Sequence, residues 1–209
     1  MNGEIEHIIF DLGGVLVNID LTRITSGLGQ IMHPNEEVGI HIRQKLVPDY
    51  ETGRISTENF LTALEPNLKP GFGKEHIIKI WNSIFLDFPK ERLEMLDELR
   101  KNYKVHLLSN INDMHADCFE QHFKNWFNED PRKYFNQFFY SHQIGKRKPD
   151  LETFEWVAKE IDSNPDKILF IDDLEENVFG ARNAGINAEH LKLNETDVIS
   201  LVRKLGYLK

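Results

Sequence analysis

Four short segments hold side chains whose types could act together. Asp11 closes the apolar run at 8–10 and is followed by Leu12 and the pair Gly13-Gly14. The run at 105–108 passes into Ser109-Asn110, the run at 168–171 passes into Asp172-Asp173, and Lys148 lies in the polar stretch at 145–150. The set contains one carboxylate that could act as a nucleophile, hydroxyl and amide donors, one fixed cation, and two adjacent acids able to hold a divalent metal. Those are the parts of phosphoryl transfer. Charge spreads over the equatorial oxygens of a phosphoryl group in flight, so a lysine, positioned donors and Mg2+ lower the barrier electrostatically. An aspartate can accept the group covalently. Mg2+ takes oxygen ligands and keeps several waters, so Asp11, the Gly13 carbonyl and Asp173, with Asp172 in support, would suffice to bind it. Two carboxylates side by side at a buried strand end repel unless a cation or donors offset them, which sets Asp172-Asp173 apart from an ordinary acidic turn. Ser109-Asn110 taken alone is a turn or helix cap, and Lys148 alone a solvated surface lysine.

These groups act together only if the fold gathers them. Ile8, Ile9 and Phe10 show no polar alternation, the pattern of a strand buried on both faces of a parallel sheet. Similar runs recur at 105–108, 138–140 and 168–171, with a weaker one at 188–193. Amphipathic helical patterns separate them, with Leu93, Leu96 and Leu99 before the second run and Phe154, Val157, Ala158 and Ile161 before the fourth. Alternating strand and helix predicts an α/β fold, a doubly wound, mainly parallel, Rossmann-like sheet. Ligands bind such sheets beyond the carboxyl ends of the strands, where Asp11, Ser109, Asn110, Asp172 and Asp173 all fall, and Lys148 can join them from a connection. From Asp20 to about Phe88 the strand-like runs stop, and helical segments broken at His33-Pro34, at Glu51-Thr52-Gly53 and at 66–73 predict an inserted small α-helical subdomain. Asp20 and Ser56 are expected to cap helices there. The aromatic-rich stretch at 119–140 lacks basic residues interleaved for nucleic-acid stacking and is read as core.

Composition limits the partners. A net charge of −9 over 209 residues disfavours nucleic acid or an anionic membrane surface. One cysteine, Cys118, excludes an internal disulfide framework and fits a reducing compartment. No run approaches the roughly eighteen apolar residues of a membrane span, and no basic leader precedes an apolar stretch. The expectation is a cytoplasmic protein, monomer or homodimer, whose partner is a small phosphorylated metabolite.

With the four segments in that order, the chain resembles the haloacid dehalogenase superfamily, whose members are mostly Mg2+-dependent phosphatases. Stretches such as FDLGGVLVNID, YETGRISTENFLTAL, LLSNINDMH, IGKRKP and FIDDLEENVFGARNAGI are similar to a helical-cap subgroup that includes a bacterial α-D-glucose-1-phosphate phosphatase. The resemblance implies Asp11 as nucleophile, Ser109 and Asn110 as phosphoryl contacts, Lys148 as the phosphate-contacting and catalytic lysine, and Asp172-Asp173 as the acidic metal motif. It implies a core of residues 1–17 and 89–209 and a cap of residues 18–88; for a phosphatase, cap residues near Glu51, Thr52, Gly53, Arg54 and Trp81 are the candidate substrate contacts. One position departs from the superfamily pattern. Most of its phosphatases place a second aspartate two residues after the nucleophile to move the leaving-group proton, and here Gly13 stands there. The proton must then come from solvent, another carboxylate or the substrate. Gly13 keeps open an inactive phosphate-ligand or protein-binding pseudoenzyme. A metal-free dehalogenase is disfavoured by Asp172-Asp173, and a phosphomutase by the absent second aspartate.

Overall fold

The computed structural model describes residues 4–208. Five parallel strands form the central sheet in the order β5-β4-β1-β6-β7, where β1 is His7–Phe10, β4 Lys104–Ser109, β5 Gln137–Tyr140, β6 Ile168–Asp172 and β7 Asn187–His190. The unalternating runs are explained by cover on both faces. Ile8 and Phe10, with Val105, Leu107, Leu169 and Ile171, face one apolar cluster; Ile9, Leu108, Ile168 and Phe170 face a second. Helices α6 (Lys90–Leu99), α7 (Asp113–Phe127) and α11 (Val198–Lys204) close the first face, and α9 (Leu151–Glu160) and α10 (Glu175–Asn183) the second. Each such side chain, fully buried, contributes about 1.5–3 kcal/mol. The short α8 (Ser141–Ile144) follows β5. The aromatics at 119–140 are core, with Phe119, Phe123, Tyr134, Phe135 and Tyr140 all buried.

Chain direction places the site. From β1 the sheet grows through β4 and β5 to one side, then the chain crosses over to build β6 and β7 on the other. β1 therefore borders the topological switch point, where the loops beyond the strand ends diverge and leave a crevice. The fifth strand ends at His190 rather than at 193, because its partner β6 ends at Asp172, whose carbonyl takes a last bond from the Leu191 N–H before the chain turns at 192–196.

Between β1 and β4 the chain forms α1 (Thr22–Ile31), α2 (Glu36–His41), α3 (Val47–Glu51), α4 (Thr57–Leu64) and α5 (Lys74–Trp81). These helices bury their own cluster, including Ile24, Tyr50, Phe60, Leu64, Ile77 and Trp81, joined by Met114 from α7. Asp20 lies one residue before Leu21, the N-cap of α1, which has no side-chain cap, and accepts from the Thr22 N–H and hydroxyl; Ser56 caps α4 through the Asn59 N–H as expected. One feature departs from the all-helical expectation for this segment: β2 (Asn18–Ile19) pairs antiparallel with β3 (Phe85–Asp87). The chain thus enters and leaves the helical segment side by side. Periodicity gives no sign of so short a ribbon, because its pairing joins residues far apart in sequence.

Candidate active site

The carboxyl edge of the sheet gathers the side chains singled out by the sequence. Asp11 follows β1 and is fixed by its N–H to the Ile171 carbonyl at 3.0 Å; Asp172 ends β6, and Asp173 comes next. Ser109 is buried at the end of β4, in register with Tyr140. Asp11, Asp172 and Asp173 each present an oxygen within 4.8 Å of the others.

Lys148 arrives from the loop between α8 and α9. Its backbone N–H donates to Asn110 Oδ1 at 2.9 Å, and Asn110 Nδ2 donates back to the Lys148 carbonyl at 2.8 Å. The Asn110 carboxamide is thus engaged at both ends and places the lysine, with one Nδ2 hydrogen still to spare. The Lys148 ammonium is 1% exposed and donates to Asp11 Oδ1 at 2.6 Å, Asp172 Oδ2 at 2.7 Å and the Leu108 carbonyl at 2.8 Å. All three of its protons have acceptors. Burial works against its charge, but Asp11 and Asp172 outweigh burial and raise its pKa.

Asp172 and Asp173 differ in what they have left to offer. Asp172 is fully buried, and both its oxygens are taken: Oδ1 by the Leu174 N–H and Asn177 Nδ2, Oδ2 by Lys148 and Asn177 Nδ2. Asp173 is half-buried, and a Cβ on Gly14 would stand 2.6 Å from its Oδ2. Gly14 also has φ +81°, a conformation other residues rarely adopt, so glycine here permits both the turn and the approach. Asn177 was not singled out by the sequence. The available signal was a polar side chain beside Val178 and Ala181, which point into the core from the same helix.

Three carboxylates against one ammonium leave an excess of two negative charges. Burial raises the Asp11 pKa and Asp172 and Asp173 raise it further, so that despite Lys148 it is pushed up to about 7. Asp173 is raised by burial and by Asp172. An all-oxygen donor set short of two positive charges fits a divalent hard cation: Asp11, Asp173 and the Gly13 carbonyl could hold it, with Asp172 anchoring Lys148 behind them.

The helical segment meets this edge through the turn after α3. Glu51 Oε2 accepts from Arg147 Nη2 at 3.0 Å, and a Cβ on Gly53 would lie 2.3 Å from the His142 carbonyl. Thr52 is buried and bonds the Pro48 carbonyl, while Arg54 is exposed and pairs with Asp49. Trp81, expected as a substrate contact, is instead packed away: it stacks on His115 at 5.3 Å, and its carbonyl accepts from His115 Nε2. The Asp20 carboxylate is held low by Thr22, whose N–H it accepts at the start of α1. A surface groove of about 1040 Å³ runs along α7 and contains none of the clustered carboxylates. We place the chemistry at the strand ends, where buried charges converge. Among the described residues no helix is long and apolar enough to cross a membrane.

Residues 5–185 match the haloacid dehalogenase-like hydrolase family. The chain is 25% identical to a D-ribitol-5-phosphate phosphatase of Bacteroides thetaiotaomicron, over 87% of this chain and 89% of that protein. It is 29% identical to a sesquiterpene phosphatase, astK, of Aspergillus oryzae, over 96% and 94%. The crystal structure of a family enzyme from Bacteroides thetaiotaomicron, bt-2542, in complex with magnesium and inorganic phosphate superposes with a TM-score of 0.83 at 28% identity, covering 92% of this chain and 96% of that one. Its magnesium complex superposes at 0.86 with 29% identity, covering 95% and 98%. The strand-end carboxylates, the buried lysine and the match across most of the chain agree: this protein belongs to the haloacid dehalogenase-like hydrolases.

Proposed function

We propose that the protein is a Mg2+-dependent phosphatase that releases phosphate from a small phosphorylated metabolite, a sugar or polyol phosphate, through an aspartyl phosphate on Asp11. The observation that carries this reading is the buried Lys148 ammonium shared by Asp11 and Asp172, with Asp173 alongside. Lys148 holds Asp11 Oδ1, which leaves the other oxygen to attack phosphorus. A P–O bond forms to Asp11, the bond to the leaving oxygen breaks, and that oxygen takes a proton. Water then attacks the acyl phosphate and frees Asp11 and inorganic phosphate. Bound Mg2+ would neutralise charge on the phosphoryl oxygens. Ser109 contributes a hydroxyl at the neighbouring strand end, and Asn110 keeps Lys148 in place.

Residues 18–88 serve in this reading as a cap over residues 1–17 and 89–209. Gly13 has no side chain to protonate the leaving oxygen, and a hemiacetal oxygen, which leaves more readily than an ordinary alkoxide, needs that help least. The phosphatases among the relatives support the reaction class, and the ribitol-phosphate enzyme the substrate class. Gly13 also favours a second reading, a pseudoenzyme that binds a phosphorylated ligand without turnover.

Phosphate release from a panel of sugar and polyol phosphates, with Mg2+ or with EDTA, tests the proposal. Turnover should require Mg2+ and should vanish in Asp11→Asn with the fold intact. Substantial turnover by Asp11→Asn would remove Asp11 as the nucleophile. Binding without release across the panel would establish the pseudoenzyme.

A further inference from the structure

We infer that Glu51 and Arg147 together recognise the hydroxyl groups of the leaving portion of the substrate; this rests on the phosphatase reading above. Glu51 ends α3 in the helical segment, and Arg147 immediately precedes Lys148 on the sheet side. Their ion pair therefore lies at the seam between the helical segment and the catalytic edge, one residue from the lysine that faces Asp11.

The pair is built and incompletely satisfied. Arg147 uses Nη2 on Glu51 at 3.0 Å, while its Nε is buried without a partner. That Nε is sealed from solvent, but the Arg147 side chain as a whole is 32% exposed and that of Glu51 17%, so other atoms of the pair can meet a ligand oxygen. Glu51 Oε2 accepts from Arg147, and a carboxylate has acceptor sites on both oxygens. A hydroxyl both donates and accepts, so neighbouring hydroxyls match a carboxylate set against a guanidinium. The backbone is fixed around both partners. The Arg147 carbonyl accepts from the Thr153 hydroxyl at 2.7 Å and the Asp150 N–H at 3.2 Å. On the other side, the close approach of Gly53 to the His142 carbonyl pins the turn that carries Glu51. A long apolar leaving group would bury these two charges without replacing their hydrogen bonds with water, at a cost that polyol hydroxyls avoid.

The test is a ratio of kcat/KM values, polyol or sugar phosphate over 4-nitrophenyl phosphate, measured with Mg2+ for the parent and for Glu51→Ala, Glu51→Gln and Arg147→Met. D-Ribitol 5-phosphate and α-D-glucose 1-phosphate are the hydroxyl-bearing probes; the aryl ester presents no hydroxyls on its leaving group. Hydrogen bonds to charged groups are worth about 1.5–3 kcal/mol, so Glu51→Ala and Arg147→Met should lower the ratio roughly 10- to 100-fold. Glu51→Gln keeps a hydrogen-bonding head and should recover part of that loss. An equal fall on both kinds of substrate, with the ratio unchanged, would mean that the pair only holds the two parts together and would overturn the inference. So would a parent that cleaves the aryl phosphate and neither hydroxyl-bearing probe, although the phosphatase reading would survive. A parent that cleaves none of the three would remove both.

Discussion

Gly14→Ala tests whether Asp173 is a metal ligand, because the structure separates two costs at that position. The first is backbone conformation. Gly14 has φ +81°, where a side chain costs about 1–2 kcal/mol. The second is contact. The new Cβ would stand 2.6 Å from Asp173 Oδ2 and 3.0 Å from its Cγ, so the carboxylate must move by close to 1 Å to reach ordinary van der Waals distance. The Asp173 carbonyl is held by His190 Nε2 at 3.0 Å, so the side chain, rather than the main chain, has to swing. Mg2+ holds its ligands near 2.1 Å, and such a displacement removes Asp173 from the set. Gly145→Ala is the control. Gly145 has φ +68° with nothing near its would-be Cβ, so it carries the backbone cost alone. Urea unfolding in EDTA should show both variants destabilised by about 1–2 kcal/mol. A Mg2+ titration of phosphate release should show half-activation moved upward about 10- to 100-fold in Gly14→Ala, the range seen when the support of a metal ligand is lost, and little change in Gly145→Ala. Half-activation of Gly14→Ala within two-fold of the parent, with the stability loss present, would refute the placement of Asp173 on the metal.

Lys148→Met should destabilise the protein by roughly 3–5 kcal/mol in EDTA, because it leaves two buried carboxylates without their shared cation, and added Mg2+ should restore part of the loss. A loss under about 1 kcal/mol in chemical denaturation would contradict the charge arrangement described here. Acid should act through His106, which stacks on His7 and is buried, its pKa lowered to about 3 first by burial and then by His7. The unfolded chain takes up a proton below pH 6.5 while the folded one stays neutral, so this group costs no stability above that pH, and the loss grows as pH falls toward 3. At pH 5 the loss is about 2 kcal/mol, and His106→Phe should remove that much of the difference in unfolding free energy between pH 7.5 and pH 5. An unaltered pH slope in the variant would show that the proton is taken up elsewhere.

The unalternating runs, the turn after Asp11 and the paired acids revealed the sheet and its working edge because each depends on local pattern. Lys148 did not reveal its depth. Nothing nearby in sequence distinguishes a surface lysine from one nearly sealed from solvent, since its acceptors lie just after β1, on β4 and on β6. Asn177 was hidden for a different reason: its partner Asp172 is only five positions away, but the turn from β6 into α10, which no periodicity describes, brings the two together. The Glu51–Arg147 pair spans 96 positions, and Trp81 packs between Phe60 and a histidine on α7. Cross-chain contacts of this kind follow from how helices pack, which periodicity alone does not specify.

The ribbon of β2 and β3 has an evolutionary consequence. Because the helical segment departs and returns at one point, a stretch of roughly ninety residues between β1 and β4 adds only about 1 kcal/mol of closure entropy over a short crossover. Its five helices have an apolar interior of their own, to which the rest of the molecule adds Met114. Such a unit can be exchanged, lengthened or rebuilt while Asp11, Lys148 and Asp172 keep their register. A lineage could thus change what is dephosphorylated without changing how.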